Sequence, residues 1–416
     1  MIHTMHEKFI RIEATLERLG NPHKGIHFVH VTGSNGKGST CAMTASILQE
    51  SGITTGLFTS PHIHKWNERI KVNGIDISDE DLESLGNQVD AICEELKIGF
   101  SEMERFFIIA LMYFKKMKID IGVIEVGIGG RIDATNIIDG IVSVITHIEL
   151  EHTHILGKSL EEIAYDKAGI IKEGALCITA ETNSQLINIF AEEAKKKNAT
   201  LLVIEDDDVE LISQSQSGHV FNFMKYFNLE LSLLGDHQLK NAALAISVID
   251  ALNNRVLSNQ GKNIDAYLIK QGLKNVTWPL RMEIIKSEKH TILLDGAHTL
   301  KAVKSVFNTI NQFWGNTKKI AIIGFSEGKN YEEILDYLVN QIDVCIVTKA
   351  EYKGISEEEI AEYICGKVDE LYVENNVPNA MQRGVEIGNS NNLILVLGGL
   401  YLGAEAREWL NTTYLN

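Results

Sequence analysis

Proline is scarce, four in 416 residues, and no segment is rich in it, so long rigid linkers and proline-driven disorder are excluded. Cysteine is equally thin. The five (Cys41, Cys93, Cys177, Cys345, Cys365) form no C-x-x-C pair, which leaves neither a disulfide framework nor a thiolate zinc site. No stretch approaches 18 uninterrupted apolar residues, and the first twenty residues mix charge with apolar positions at helical spacing (Phe9, Ile12, Leu16, Leu19). A soluble cytoplasmic protein with no membrane partner is the expectation. Basic residues are in deficit, 39 against 56 acidic ones for a net charge of −17, which argues against a nucleic-acid partner. An acidic chain can still bind an anion through a local loop of backbone N–H groups.

What is present is a globular composition, 44% hydrophobic, over a length that suits two domains. Strand-like and helix-like runs alternate. Ile26–Val31, Ile121–Val126 and Val142–Thr146 are near-continuous apolar runs of the length expected for buried parallel strands. Ser39–Glu50 reads as a helix, and Ser78 with Asp81 opens another, with Leu82, Leu85, Val89, Ile92 and Leu96 on one face. Period-two spacing at Leu229, Leu231 and Leu233 predicts an antiparallel excursion. A second alternating series follows Thr277–Glu283, with strands expected at Thr291–Leu294, Lys319–Ile323, Val344–Thr348 and Leu393–Leu397. The fold class is therefore α/β with mostly parallel sheets, divided near 280 into residues 1–280 and a smaller domain of 281–416.

The stretch from Val31 to Thr40, Val-Thr-Gly-Ser-Asn-Gly-Lys-Gly-Ser-Thr, lies between a strand-like run and a helix. Glycines let backbone N–H groups converge on phosphate oxygens, a lysine adds charge, and a hydroxyl in the first helical turn reaches Mg²⁺. It departs from the general P-loop pattern, because Gly33 and Gly36 are three apart and Gly38 separates Lys37 from Ser39. Glu125 interrupts a buried strand at its end, where an acid can meet Mg²⁺ beside such a loop; pairing with Arg131 is the structural alternative. The Gly127-Ile-Gly-Gly130 run lacks the third glycine placement of a dinucleotide fingerprint. Glu149–Gly157 holds His152 and His154, with His147 just upstream, and suggests a transition-metal site; the H-E-x-x-H spacing of a zinc hydrolase is missing.

These motifs together resemble the folylpolyglutamate synthase/dihydrofolate synthase family of the Mur ligase superfamily. The likeness runs through Thr32–Ser39, Phe58–Gly74, Glu125–Asn136, His152 with Lys167–Lys172, Gly235–Ile246, Trp278–Glu283, Asp295–His298 and Gly398–Arg407. It implies an N-terminal P-loop ATPase domain and a C-terminal Rossmann-like domain. The implied reaction activates a carboxylate as an acyl phosphate with ATP, and an amino acid's amine then attacks it to form an amide. Lys37 and the loop of Gly33, Ser34, Asn35, Gly36, Gly38, Ser39 and Thr40 would hold the phosphates. Asn241, Arg281, Asp295 and His298 would also contact ATP, Arg281 at the phosphates and Asp295 at the ribose. Ser39, Glu125 and His152 would bind two Mg²⁺ ions, or Mn²⁺, with Lys167 a further ligand if carbamylated. Lys37, Glu125, His152 and Lys167 are the implied catalytic group; Ser60, Pro61, His62, Met103 and Arg131 would line the substrate site. Small-molecule partners and a monomer complete the expectation.

The departures gather near the implied acid substrate. Met103-Glu104, Arg105 and Phe107 stand where the family carries an aromatic-glutamate pair, an apolar residue and a threonine. Glu151-His152 replaces an Asp-His pair, Leu280 a glycine, Thr299-Leu300 an Asn-Pro pair, and Gly328-Lys-Asn330 an Asp-Lys-Asp segment. Two readings remain open: a folate enzyme, or a paralogue that joins an amino acid to another carboxylic acid. A nucleotide-binding regulator would be expected to have lost Lys37, Glu125 or His152, and all three are present.

Overall fold

The computed structural model describes residues 2–328 and 330–415, with side chains from residue 7 onward, so Lys329 of the Gly328–Asn330 segment lies outside the described residues. The chain separates into two compact units. One holds most of the chain as far as Val276; the other holds the chain from Thr277 onward together with Ser215–Gly218 and Leu233–Asp236.

The first unit is built on eight strands: β1 (His27–Thr32), β2 (Thr55–Phe58), β3 (Ile70–Val72), β4 (Ile75–Asp76), β5 (Ile121–Glu125), β6 (Gly140–Ile145), β7 (Leu176–Thr179) and β8 (Thr200–Val203). Their order is β4-β3-β2-β5-β1-β6-β7-β8, parallel from β2 to β8, with β3 antiparallel to β2 and β4 to β3. The apolar runs read as buried strands are the three at the centre, β5, β1 and β6, closed in by aromatic and aliphatic side chains such as Phe28, Phe58, Phe107 and Phe114. Chain order reverses on either side of β1, so the carboxyl ends of β1 and β5 open onto the crevice where such sheets bind ligands. Val31 faces Glu125 in register, and the loop after β1 therefore starts beside the end of β5.

Helix Lys37–Glu50, which follows β1, is buried from Ser39 to Leu48 on nearly every face. It packs against helices His237–Leu252 and Ala266–Asn275, and at Gly272 a Cβ would come within 2.4 Å of the Ile47 Cα. The period-two stretch forms part of a three-stranded antiparallel sheet, β9 (Val209–Ser215), β10 (Gly218–Phe223) and β11 (Tyr226–Leu231).

The second unit contains β12 (Glu283–Lys286), β13 (Thr291–Leu294), β14 (Lys318–Ile323), β15 (Val344–Val347), β16 (Glu370–Val373) and β17 (Asn392–Leu397), ordered β12-β13-β17-β14-β15-β16. All pairs are parallel except β12 with β13. Its core gathers Leu293, Phe307, Ile310, Ile323, Val347 and Leu395 beneath the helices. No described helix is long and apolar enough to cross a membrane.

Candidate active site

The loop after β1 is shaped by two glycines that no other residue can replace without displacing a neighbour. Gly33 has φ 143°, and a Cβ there would lie 1.7 Å from the Thr146 hydroxyl oxygen; Gly36 has φ 90°, and a Cβ would lie 2.4 Å from Asn241 Oδ1. Between them, the Ser34 N–H donates to the His147 carbonyl (2.8 Å), and the Thr146 hydroxyl donates to the Asn35 carbonyl (2.6 Å). Helix Lys37–Glu50 then begins with no side chain capping its first turn, which leaves backbone donors for an anion. Lys37 Nζ folds back onto the carbonyls of Gly33 (2.8 Å) and Ser34 (3.3 Å). Ser39 and Thr40 are buried in the first turn, and the Thr40 hydroxyl has no hydrogen-bond partner.

A second lysine reaches the same place from the other side. Lys167, only 1% exposed, donates to the Gly33 carbonyl (2.9 Å) and to Glu151 Oε1 (2.7 Å). Burial and the charge of Lys37 bring its pKa down to about 8, despite the opposing pull of Glu151. Glu151 itself is held below the usual carboxylate range: burial alone would raise it, and Lys37, Lys167 and the Ser34 hydroxyl outweigh that. His152, left-handed at φ 45°, caps the short helix Thr153–Leu156. Burial lowers its pKa, and Lys37 and Lys167 add to this against the pull of Glu151, which favours a neutral ring with a free lone pair. Gly33, Ser34, Lys37, Glu151, His152 and Lys167 thus share one electrostatic neighbourhood.

Glu125, at 4% exposure, ends β5 and accepts the Ser60 N–H at 3.0 Å. The alternative pairing with Arg131 is overturned. The turn after β5 carries Arg131 to Glu193 (3.0 Å) and over the Tyr165 ring (4.3 Å), with a further bond to the Tyr165 carbonyl. The guanidinium expected at the substrate therefore also has scaffold partners.

Around Ser60, Pro61 and His62 the loop is tied by one carboxylate, since Glu68 accepts the N–H groups of Ile63 (2.6 Å), His64 (2.9 Å) and Lys65 (3.1 Å). Arg69 donates to His62 Nδ1 (2.9 Å) and to the Met103 sulfur, and lies over Trp66 at 4.6 Å. Trp66 stacks flat on Phe106, ring centres 4.5 Å apart. Next to Met103 is Gly127, whose Cβ would also meet Asp133 Oδ2 at 3.1 Å. The thioether, the guanidinium and the stacked rings are thus in mutual contact, while the Asp133 carboxylate accepts the Ile128 N–H (3.1 Å), the Thr135 N–H (2.9 Å) and the Thr135 hydroxyl. Sequence reasoning singled out Met103 and His62 but not Arg69, Trp66 or Phe106, which the fold gathers around them. Arg105 is paired bidentately with Asp90 (2.7 and 2.6 Å).

In the second unit, Arg281 sits between two left-handed residues, Leu280 (φ 57°) and Met282 (φ 46°). Asp295 accepts the N–H groups of Met282 and Ala297, each at 2.8 Å, and burial raises its pKa although Arg281 pulls the other way. His298 Nδ1 meets the Gly296 carbonyl at 2.9 Å, and a Cβ on Gly296 would lie 3.1 Å from the Arg281 guanidinium. Arg281, Asp295 and His298 therefore gather at the carboxyl end of β13. Asn241, in the first unit, donates to Gln238 (2.9 Å) and backs Gly36.

His147, His152 and His154 do not make a three-histidine cage. No group of three or more His, Cys, Asp or Glu among the described residues could hold a metal, and His147 faces Glu181 and Glu149 instead.

Residues 31–249 match the model of the Mur ligase middle domain, and residues 280–400 that of the Mur ligase glutamate ligase domain. The chain belongs to the Mur ligase family. It is 33% identical to the dihydrofolate synthase/folylpolyglutamate synthase of Bacillus subtilis, over 96% of this chain and 94% of that one. This Mur ligase also superposes on the folylpolyglutamate synthase of Thermotoga maritima with a TM-score of 0.86, 29% identity, and coverage of 98% and 94%. The Escherichia coli FolC complex with DHPP and ADP matches with a TM-score of 0.83, 26% identity, and coverage of 96% and 92%.

Proposed function

We propose that this chain is an ATP-dependent amide ligase that activates a folate-type carboxylate as an acyl phosphate and couples it to glutamate. The observation that carries the reading is the convergence of Lys37 and Lys167 on the Gly33 carbonyl, inside a loop whose helix start is left uncapped. An arriving phosphate offers the Lys37 ammonium and those N–H donors better acceptors than a backbone oxygen. The full-length likeness to proteins named for folate ligation supports the substrate class.

A carboxylate resists attack by an amine until it carries a phosphate leaving group. The task of the protein is to hold anionic reactants in line and spread the developing charge. Lys37 and the loop from Gly33 to Thr40 would grip the nucleotide phosphates; Arg281 is read as a further phosphate contact, Asp295 as a ribose contact, and Asn241 and His298 as further contacts to ATP. Ser39, Glu125 and His152 would hold Mg²⁺ or Mn²⁺, and their donor set of a hydroxyl, a nearly buried carboxylate and an imidazole whose pKa is lowered suits such an ion. The ion, when bound, would neutralise charge on the transferring phosphoryl group. The Ser60–His62 segment and the cluster of Arg69, Trp66, Phe106 and Met103 would orient the acid.

For Lys167 the reading is carbamylation, in which CO₂ adds to the neutral amine and a proton leaves. The amine's burial beside Lys37 supports this. Intact-mass analysis under bicarbonate would show one added CO₂, absent from Lys167→Ala. The proposal extends to a monomer acting in the cytoplasm.

The decisive experiment measures ADP release with glutamate over dihydropteroate, tetrahydrofolate and a panel of other carboxylic acids. Stimulation by a folate-type acid is expected. Stimulation only by another acid would replace the folate reading with that of a paralogue, which Met103 in the Arg69 cluster favours.

A further inference from the structure

His147 and Glu149 have no part in the chemistry above, yet they form a continuous chain to the nucleotide loop. It starts at Glu181, in the turn after β7, with 3% of its side chain exposed. One oxygen of Glu181 accepts the N–H groups of Thr182 (2.9 Å) and Asn183 (3.1 Å). The other accepts the Ile148 N–H (3.0 Å) and meets His147 Nδ1 at 3.1 Å. Burial alone would raise the Glu181 pKa, but these donors hold it down to about 2.

The other ring nitrogen of His147 meets Glu149 Oε1 at 3.3 Å, and Glu149 Oε2 accepts the Asn35 side-chain amide at 2.8 Å. The Glu149 N–H donates to the Ser34 hydroxyl (2.9 Å), which donates in turn to the Glu149 carbonyl (3.1 Å). A carboxylate only accepts hydrogen bonds, so a ring with a carboxylate at each nitrogen is matched when both nitrogens carry protons. Glu181 is fixed by three backbone donors and cannot follow the loop, whereas Glu149 holds the loop directly. Without the ring, the two carboxylates would face each other and Glu149 would be driven off Asn35.

We propose that His147 is a positioning residue for the nucleotide: anchored on Glu181, it holds Glu149, and through Glu149 it sets Asn35 and the loop from Gly33 to Gly36. The proposal rests on the reading of that loop as the ATP site.

The test compares wild type, His147→Ala, Glu149→Gln and the double variant by calorimetric titration with MgADP, together with steady-state kinetics. His147→Ala is expected to weaken MgADP binding and raise KM for ATP about tenfold, the effect expected when one coupled interaction is removed. Its kcat and its KM for glutamate should stay within about twofold, since the other substrates do not touch the chain. The double variant should be no weaker than the worse single one, because both act through Asn35. If His147→Ala does not fold, Glu149→Gln carries the same measurement, since it keeps the side chain's size while removing its charge. Unchanged MgADP affinity, additive losses, or a KM rise shared by every substrate would each overturn the proposal. A wild-type protein that binds no MgADP would overturn the ATP reading instead, and the two failures are thereby distinguished.

Discussion

In the first unit Gly33 and Gly36 carry positive φ angles of 143° and 90°; in the second, Leu280 and Met282 carry 57° and 46° with no glycine. Both turns present cationic side chains, Lys37 in one and Arg281 in the other. The difference lies in the space around the Cβ. At Gly33 and Gly36 an added carbon would collide with Thr146 and Asn241. At Leu280 the side chain is fully buried, and it fills the room beside Gly403, where a Cβ would come within 2.9 Å of a Leu280 methyl. Left-handed backbone alone costs a non-glycine residue about 1–2 kcal/mol, which burying a leucine offsets. A glycine demanded by crowding cannot be exchanged, whereas one demanded only by φ can.

The largest expected effect tests the crowded turn. Lys37→Ala should lower kcat/KM for ATP by about a thousandfold or more with the melting temperature little changed, because the lysine's hydrogen bonds within the protein are only to loop carbonyls. Next, Gly36→Ala should abolish measurable MgADP binding; retained binding would show that Asn241 can move aside and that the contrast between the turns is one of degree. Leu280→Gly should move the second turn the other way. It relieves the backbone yet empties a buried site, for a net loss of about 1–3 kcal/mol in unfolding free energy by denaturant titration. A gain in stability would mean that strain, not packing, dominates there. The smallest effect is electrostatic. Glu181 has a folded pKa of about 2, below its unfolded value, so its stabilisation is complete above about pH 4.5 and fades as pH falls towards 2. Glu181→Gln should flatten the acid limb of the stability profile in that window.

Much of this architecture was legible in the residues. Long apolar runs marked β1, β5 and β6, and Ser78 caps its helix through the Asp81 N–H as the spacing predicted. Strands β8 and β16 were not foreseen, since both lie at a sheet edge with no fully buried residue and so lack the buried run that marked the central strands. The antiparallel β12 was missed for the same reason. In the site, the glycine-lysine loop and Glu125 were legible because their chemistry is local to a motif. Arg69 was not, because its role exists only once folding brings Trp66, His62 and Met103 around it. The structural alternative for Glu125, pairing with Arg131, fails: six positions apart in sequence, they are parted by the turn that delivers one to Glu193 and leaves the other at the strand end.

Helix Lys37–Glu50, enclosed on nearly every side, has a consequence for motion. Its backbone amides have no route to solvent short of opening the surrounding helices, so they should be among the slowest in the chain to exchange with deuterium. The loop from Gly33 to Gly36 is thus mounted on one of the least yielding segments of the protein, whereas the stretch from Ser60 to Arg69 carries no regular structure beyond the short turn Trp66–Arg69 and is held by side chains, Glu68 above all.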